Sequence, residues 1–281
     1  MRIQEAIAAR QLADSDGHDP DAFQLPPASA VAQNPVEAIN KCAQWMEEDL
    51  SRPDVKAIAD RIVALRADLT RRGLRYTNTA GNFLARQYQP DYERGKLWEN
   101  AWVIRHAGVR PGETVLDVGG ASTIFSFYLA SLGCRVAVVD NDWGNCGTIY
   151  NARYVARRMD WDLQAWDRDV AKPLPFPDAT FDRVFSVCVM EHLPSGVRQF
   201  LMREVGRVLK PGGMVGMTFD YDAARPRLIT DRGLRYAQRD KLERDVIRPS
   251  ELHVVGNAEW VDAYPDHGFM GSLFLQKPLA A

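Results

Sequence analysis

Cysteine is scarce and scattered. Cys42, Cys134, Cys146 and Cys188 form no CxxC pair, so neither a metal-binding pair nor a secreted disulfide framework is signalled, and a reducing cytoplasm suits them. A net charge of one sign is also missing. The formal charge of -2 over 281 residues, with a sequence pI near 6.2, gives no global electrostatic case for nucleic acid or an anionic membrane as partner. No apolar run approaches membrane-span length, and the opening "MRIQEAIAARQLADSDG" lacks the apolar core of a signal peptide. What is present, 46% hydrophobic and 26% charged residues, is enough to bury the core of one domain with additions. A cytoplasmic globular protein is expected.

The chain divides into three parts. Residues 1–33, rich in Asp, Pro, Ala and Ser without periodicity, read as a flexible lead-in. Residues 34–110 read as a helical extension. Asn34, Pro35 and Glu37 give a helix start signal, followed by a stripe of Val36, Ile39, Ala43, Met46 and Leu50. A second helix starts near Pro53, carries Val55, Ile58, Ile62, Leu65 and Leu69, and stops at Gly73. The two are expected to pair as a hairpin packed on the main domain, with a homodimer seam or a substrate lid as alternatives. From residue 111 to 281 the grammar is strand alternating with helix. The strands "TVLDV", "RVAVVD", "LQAW", "RVFSVCV", "MVGMTF", "LHVVG" and "GFMGSLFLQK" predict an α/β fold, a Rossmann-like, seven-stranded, mostly parallel sheet. The helix "SGVRQFLMREVGRVL" is expected to turn Val197, Phe200, Leu201, Val205 and Val208 inward. Ligands of such sheets sit at the carboxyl ends of the strands, where the connections reverse.

That rule points to "VLDVGGASTIF". Gly119 and Gly120 allow a tight turn and close backbone approach, but Ile124 stands where a dinucleotide loop would carry its third glycine. NAD therefore fits poorly. Asp117 puts a negative charge beside the cradle, which suits a ligand with an ammonium and no phosphate. Asp140 follows at the end of the second strand, where a carboxylate accepts hydrogen bonds from ribose hydroxyls.

The series "VLDVGGAST", "VAVVD", "PLPFPDATFDRVFSVCVMEHLP" and "LKPGGMVGMTF" resembles the class I S-adenosylmethionine-dependent methyltransferases, with four motifs in the family's order. The resemblance implies S-adenosyl-L-methionine as cofactor. It implies that the loop from Asp117 through Gly119, Gly120 and Ala121 to Thr123 holds the methionine portion, that Asp140 holds the ribose, and that Asn141 or Trp143 lies beside the adenine. An acid after strand three would receive the adenine amino group: Asp169, followed by Val170, with Asp167 the alternative. Ser186 on strand four completes the cofactor set. Family members usually have glycine at the positions of Ala121 and Thr123; Thr123 is expected to offer its hydroxyl or N–H to the cofactor carboxylate instead. The departure leaves a non-catalytic binder of the cofactor as the alternative reading.

For the acceptor, His192 in "VMEHLP" is the candidate base, with Glu191 orienting it or touching the substrate. The segment resembles quinone-pathway O-methyltransferases that bind a divalent ion through Glu-x-x-Glu-His, but Cys188 replaces the first glutamate and no metal is expected. The Pro-Pro-aromatic signal of amine methylation and the Pro-Cys of cytosine methylation are both missing after strand four. A small-molecule acceptor methylated on oxygen is expected, with a loose resemblance to methyltransferases of sugar and surface-polysaccharide pathways. The segment from Arg225 to Pro249 holds eight basic and four acidic residues, a local +4 that would suit an anionic substrate. Tyr88, Tyr92 and Trp98 are candidate pocket walls.

Overall fold

The computed structural model describes residues 38–41, 46–77, 90–142, 147–220, 239–257 and 270–279. The described helices and strands run α1 (Met46–Ser51), α2 (Pro53–Arg71), α3 (Pro90–Ala107), β1 (Thr114–Val118), α4 (Ile124–Ser131), β2 (Arg135–Asp140), α5 (Thr148–Met159), β3 (Leu163–Asp167), β4 (Phe181–Val187), α6 (Ser195–Val208), β5 (Leu209–Asp220), β6 (His253–Val254) and β7 (Met270–Gln276). The 3-10 turn Met190–His192 follows β4, and residues 239–250 form a helical run with a π turn at Glu243–Ile247.

The seven strands form one sheet in the order β3-β2-β1-β4-β5-β7-β6. All neighbours from β3 to β5 are parallel, while β7 runs antiparallel between β5 and β6. β1 is buried at every residue, as expected for a parallel strand covered on both faces. The parallel neighbours are joined by helical crossovers, α4 between β1 and β2, α5 between β2 and β3, and α6 between β4 and β5. The order changes direction between β1 and β4, which opens a crevice at their carboxyl ends.

Close packing is built into both layers. A Cβ on Gly216 of β5 would lie 2.9 Å from Val103 of α3 and 3.1 Å from the Phe185 ring, so α3 rides directly on the sheet. On the opposite side a Cβ on Gly206 of α6 would overlap the Ser250 carbonyl. α2 follows the sequence closely: Pro53 sits in its first turn, Val55, Ile58, Ala59, Ile62 and Leu69 are buried, and Gly73 follows at φ +67°.

Two expectations need correction here. The helix expected to begin at Asn34 and run to Leu50 is absent at residues 38–41, and only Met46–Ser51 is helical among its described residues. Asn40 explains the interruption. Its Oδ1 accepts from Phe274 N at 2.9 Å and its Nδ2 donates to the carbonyls of Val255 (2.8 Å) and Asn257 (2.9 Å). The side chain thus satisfies strand-edge groups that a helical residue could not reach. In α6 the buried residues are Arg198, Leu201, Met202, Val205, Gly206 and Val208; Val197 and Phe200 are half-buried. Arg198 displaces them because it pairs with Asp245 at 2.5 Å and donates to Leu193 O at 2.7 Å.

Candidate functional site

The loop after β1 is shaped by its two glycines. Gly119 lies at φ +82°, where a Cβ would also overlap Val189, and a Cβ on Gly120 would fall inside the Asp117 carboxylate. Glycine is therefore required at both positions for space, and at Gly119 for conformation as well. Asp117 is 1% exposed. Its Oδ2 accepts a hydrogen bond from Ser126 Oγ, while Oδ1 is buried with no hydrogen-bond partner among the described residues. Burial pushes this carboxyl up to about 7; the Ser126 hydroxyl pulls it down and the Asp140 charge pushes it further up.

Asp140, closing β2, sits opposite the same loop. Its Oδ2 accepts from Ala121 N at 3.1 Å. Burial pushes it up to about 6; the N–H groups of Ala121 and Asn141 oppose the shift, and the charges of Asp142 and Asp167 add to it. The crevice thus places two carboxylates close together in a low-dielectric setting that favours a positively charged guest.

The start of α4 is closed to a phosphate. Thr123 caps the helix: its Oγ1 accepts from Ser126 N at 3.2 Å and donates to Gly120 O at 2.9 Å, and its own N–H goes to Gly120 O at 3.1 Å. Ile124 N donates to Thr77 O, and Thr77 N donates to Ser122 O, both at 2.8 Å. The N–H groups that would cradle a pyrophosphate are spent on the protein. Thr123, expected to offer its hydroxyl or N–H to a cofactor carboxylate, uses both in the cap.

The remaining predicted residues fall as follows. Asn141 is exposed beside Asp140. Asp167 ends β3 next to Asp140 in register. Asp169 is exposed, with Oδ1 accepting from Ala171 N at 2.9 Å, and Val170 is half-buried beside it. Ser186 is buried, and its Oγ, like Thr218 Oγ1 on β5, has no hydrogen-bond partner among the described residues. Glu191 is buried in the 3-10 turn while His192 is exposed on its rim. Tyr88, Trp143 and the side chain of Tyr92 lie outside the described residues. Trp98 is no pocket wall: it is fully buried, donates to Asp49 Oδ2 at 2.7 Å and stacks on Trp102.

One cluster is missed by the sequence reading. Lys96 and Glu99, on α3, are 3% and 0% exposed and pair at 2.7 Å. Lys96 Nζ donates to Cys188 Sγ at 2.9 Å, and Cys188 Sγ donates to Glu99 Oε1 at 2.7 Å. The available signal was a charged i, i+3 pair beside Trp98, Ala101 and Trp102 on an otherwise core-facing helix surface.

A doubly wound sheet, a glycine loop backed by a buried acid and a second acid ending β2 define a Rossmann-like site for a nucleoside cofactor without phosphate. Residues 116–217 match the family model described as a methyltransferase domain, which supports a class I S-adenosylmethionine-dependent methyltransferase. The family's cofactor is S-adenosyl-L-methionine. Sequence relatives include a sterol 24-C-methyltransferase of Eremothecium gossypii, 32% identical over 132 residues (44% of this chain and 34% of that protein). A cypemycin N-terminal methyltransferase of a Streptomyces species is 36% identical over 121 residues (40% and 44%). A ubiquinone/menaquinone biosynthesis C-methyltransferase of Nitrosospira multiformis is 34% identical over 125 residues (43% and 48%). The chain spans less than half the length of each of these three relatives. Among solved structures, the [4+2]-cyclase SpnF superposes with a TM-score of 0.55 at 16% identity, over 88% of this chain and 100% of that one. The PH0226 protein from Pyrococcus horikoshii gives 0.51 at 19% identity, over 67% and 92%. These likenesses concern the fold.

The residues present fit the family's cofactor. Asp117 Oδ1, buried without a partner among the described residues, is an acceptor suited to an ammonium, the glycine pair leaves room for the Asp117 carboxylate and for Val189, and the closed start of α4 makes no demand for a phosphate. Among the described residues no group of His, Cys, Asp and Glu could hold a metal ion, and no described helix is long and apolar enough to cross a membrane.

Proposed function

We propose that this protein transfers the methyl group of S-adenosylmethionine to a small-molecule acceptor, with oxygen as the atom attacked. The observation that carries the reading is the buried, unpartnered Oδ1 of Asp117 beside Gly120 and opposite Asp140. When bound, the cofactor supplies an electrophilic methyl group on a sulfonium. Asp117 receives its ammonium and Asp140 its ribose. Asn141 flanks the adenine, and Asp169 takes the adenine amino group. Glu191 and His192 frame the acceptor end, His192 from the rim. A substrate held in line by such a frame gains rate chiefly through positioning.

The names of the relatives support a small acceptor, while describing carbon- and nitrogen-directed enzymes; oxygen rests on the missing amine and cytosine motifs after β4. A sugar or surface-polysaccharide acceptor is the finer form of the proposal. The competing reading, a cofactor binder without turnover, is favoured by the engagement of Thr123 in the helix cap. Titration calorimetry with S-adenosylmethionine, S-adenosylhomocysteine and NADH separates the readings. Saturable binding of the two sulfur nucleosides alone is expected, and no binding by either would overturn the proposal. Methyl transfer to a panel of phenols, sugars, enolisable ketones and amines then assigns the attacked atom; binding without transfer to any of them favours the silent binder.

A further inference from the structure

The Lys96, Glu99 and Cys188 cluster lies where an acceptor would meet the cofactor. Cys188 follows the last residue of β4 at the carboxyl edge of the sheet, and its neighbour Val189 rests against Gly119 of the cofactor loop. Cys188 is half-buried, whereas its partners Lys96 and Glu99 are closed off almost completely. Its backbone adopts φ +54°, a conformation that costs a non-glycine residue energy and recurs at functional sites. Burying a lysine and a glutamate on one helix is itself expensive, and the pair is retained with both partners engaged on the same sulfur.

We propose that Cys188, Glu99 and Lys96 form a proton-transfer group at the acceptor end of the crevice, with Cys188 touching the acceptor and Glu99 as the final proton acceptor. The inference rests on the methyltransferase reading. The hydroxyl proton of the acceptor passes to Sγ while the Sγ proton passes to Glu99 Oε1. The oxygen keeps the electron pair with which it takes the methyl group. Sulfur is neither oxidised nor reduced, and Glu99, itself closed off from water, holds the proton until it returns through the half-buried Cys188 Sγ to solvent once the product has left. Lys96 is a positioning residue: it fixes the carboxylate and donates to the sulfur. A carboxylate paired with an ammonium is a weak base, so the matching acceptor is an acidic hydroxyl, a phenol or enol with a pKa of about 10 or below, rather than an alkyl alcohol, and such an acceptor replaces the sugar form of the proposed function.

The charges facing the sulfur are Glu99 and Lys96 from α3 and Glu191 from the 3-10 turn. Burial, then the Glu99 and Glu191 charges, raise the thiol well above its ordinary value, with Lys96 opposing them. Removing the Glu99 charge should leave the sulfur facing Lys96 with less opposition, so that, against the burial and the Glu191 charge that remain, a larger fraction of the thiol ionises to thiolate. If Cys188 stands at the acceptor position, that thiolate is itself a nucleophile beside the methyl group. It would attack the methyl carbon, form an S–CH3 bond and release S-adenosylhomocysteine.

The test follows Cys188 by peptide-resolved mass spectrometry in the full chain, apart from Cys42, Cys134 and Cys146. In Glu99→Gln, alkylation of Cys188 by iodoacetamide at pH 7.5 should rise at least ten-fold over wild type, and incubation with S-adenosylmethionine should add one methyl group at Cys188 that wild type does not acquire. In wild-type protein, saturating S-adenosylhomocysteine should slow alkylation of Cys188 at least five-fold. That second measurement stands even where Glu99→Gln does not fold. An unchanged alkylation rate in Glu99→Gln, no methylation of Cys188 in a variant that binds S-adenosylhomocysteine, or no protection of the wild-type thiol would each overturn the proposal. Failure of the wild-type protein to bind S-adenosylhomocysteine by calorimetry would instead overturn the methyltransferase reading beneath it.

Discussion

Replacing Asp117 by Asn should make the unliganded protein more stable and weaken its binding of the cofactor by about one to two orders of magnitude. The carboxyl is pushed from 3.8 up to about 7, so the folded state binds its proton more tightly than the unfolded state. The stabilisation linked to that proton is fully present below pH 3.8 and is lost as pH rises through about 7. Holding the carboxylate charged at pH 8 therefore costs the unliganded fold up to about 4 kcal/mol. Asn keeps an acceptor for Ser126 Oγ and has no charge to bury. Asp117→Asn should thus gain a few kcal/mol over wild type at pH 8 in urea titrations, with the gain shrinking towards pH 5. Binding moves the other way. A charged hydrogen bond between the ligand ammonium and Oδ1 is worth about 1.5–3 kcal/mol, so S-adenosylhomocysteine should bind roughly 10- to 150-fold more weakly. Wild-type affinity should itself fall about eight-fold from pH 7.5 to 6, because the ligand selects the ionised carboxylate. A variant less stable than wild type at pH 8, or one binding S-adenosylhomocysteine within two-fold of wild type, would refute the assignment of Asp117.

Gly120→Ala should abolish S-adenosylhomocysteine binding by calorimetry, since its Cβ would occupy the place of the Asp117 carboxylate. Asn40→Ala should cost about 2–4 kcal/mol in chemical denaturation, because three backbone groups near β7 lose their partner. Arg198→Met should cost about 1–3 kcal/mol in chemical denaturation by removing the buried one of the two guanidinium groups on Asp245, with Arg244 remaining, and Arg198→Met with Asp245→Leu should recover much of that loss. Asp140→Ala should remove measurable S-adenosylhomocysteine affinity; unchanged binding would exclude it as the ribose acid.

The alternating part of the chain was legible because parallel strands buried on both faces must be continuously apolar, as in "TVLDV" and "RVAVVD", and because glycines and acids mark their carboxyl ends. The placement of Asp117, Gly119, Gly120 and Asp140 at those ends was legible for the same reason. Local signals failed where long-range pairing took over. Asn40 sits inside a plausible helix, next to the stripe residue Ile39, yet its amide is claimed by the backbone of residues more than two hundred positions away. Arg198 looks like a surface residue of an amphipathic helix, but Asp245 draws it inward. Trp98 looked like a pocket aromatic because sequence cannot tell which side of α3 meets Asp49. Cys188 was read only as a lost metal ligand, since nothing nearby in sequence announces Lys96 and Glu99.

The pairing of Thr77 with Ser122 and Ile124 has a practical consequence for anyone dissecting this protein. The segment that matches the methyltransferase family starts at residue 116, yet the first turn of α4 takes one of its hydrogen bonds from a residue nearly forty positions upstream of that boundary. A fragment trimmed to the family's limits would keep every cofactor motif and lose the clasp that holds the motif loop in register. For this chain the segment that the family model covers is smaller than the unit of folding.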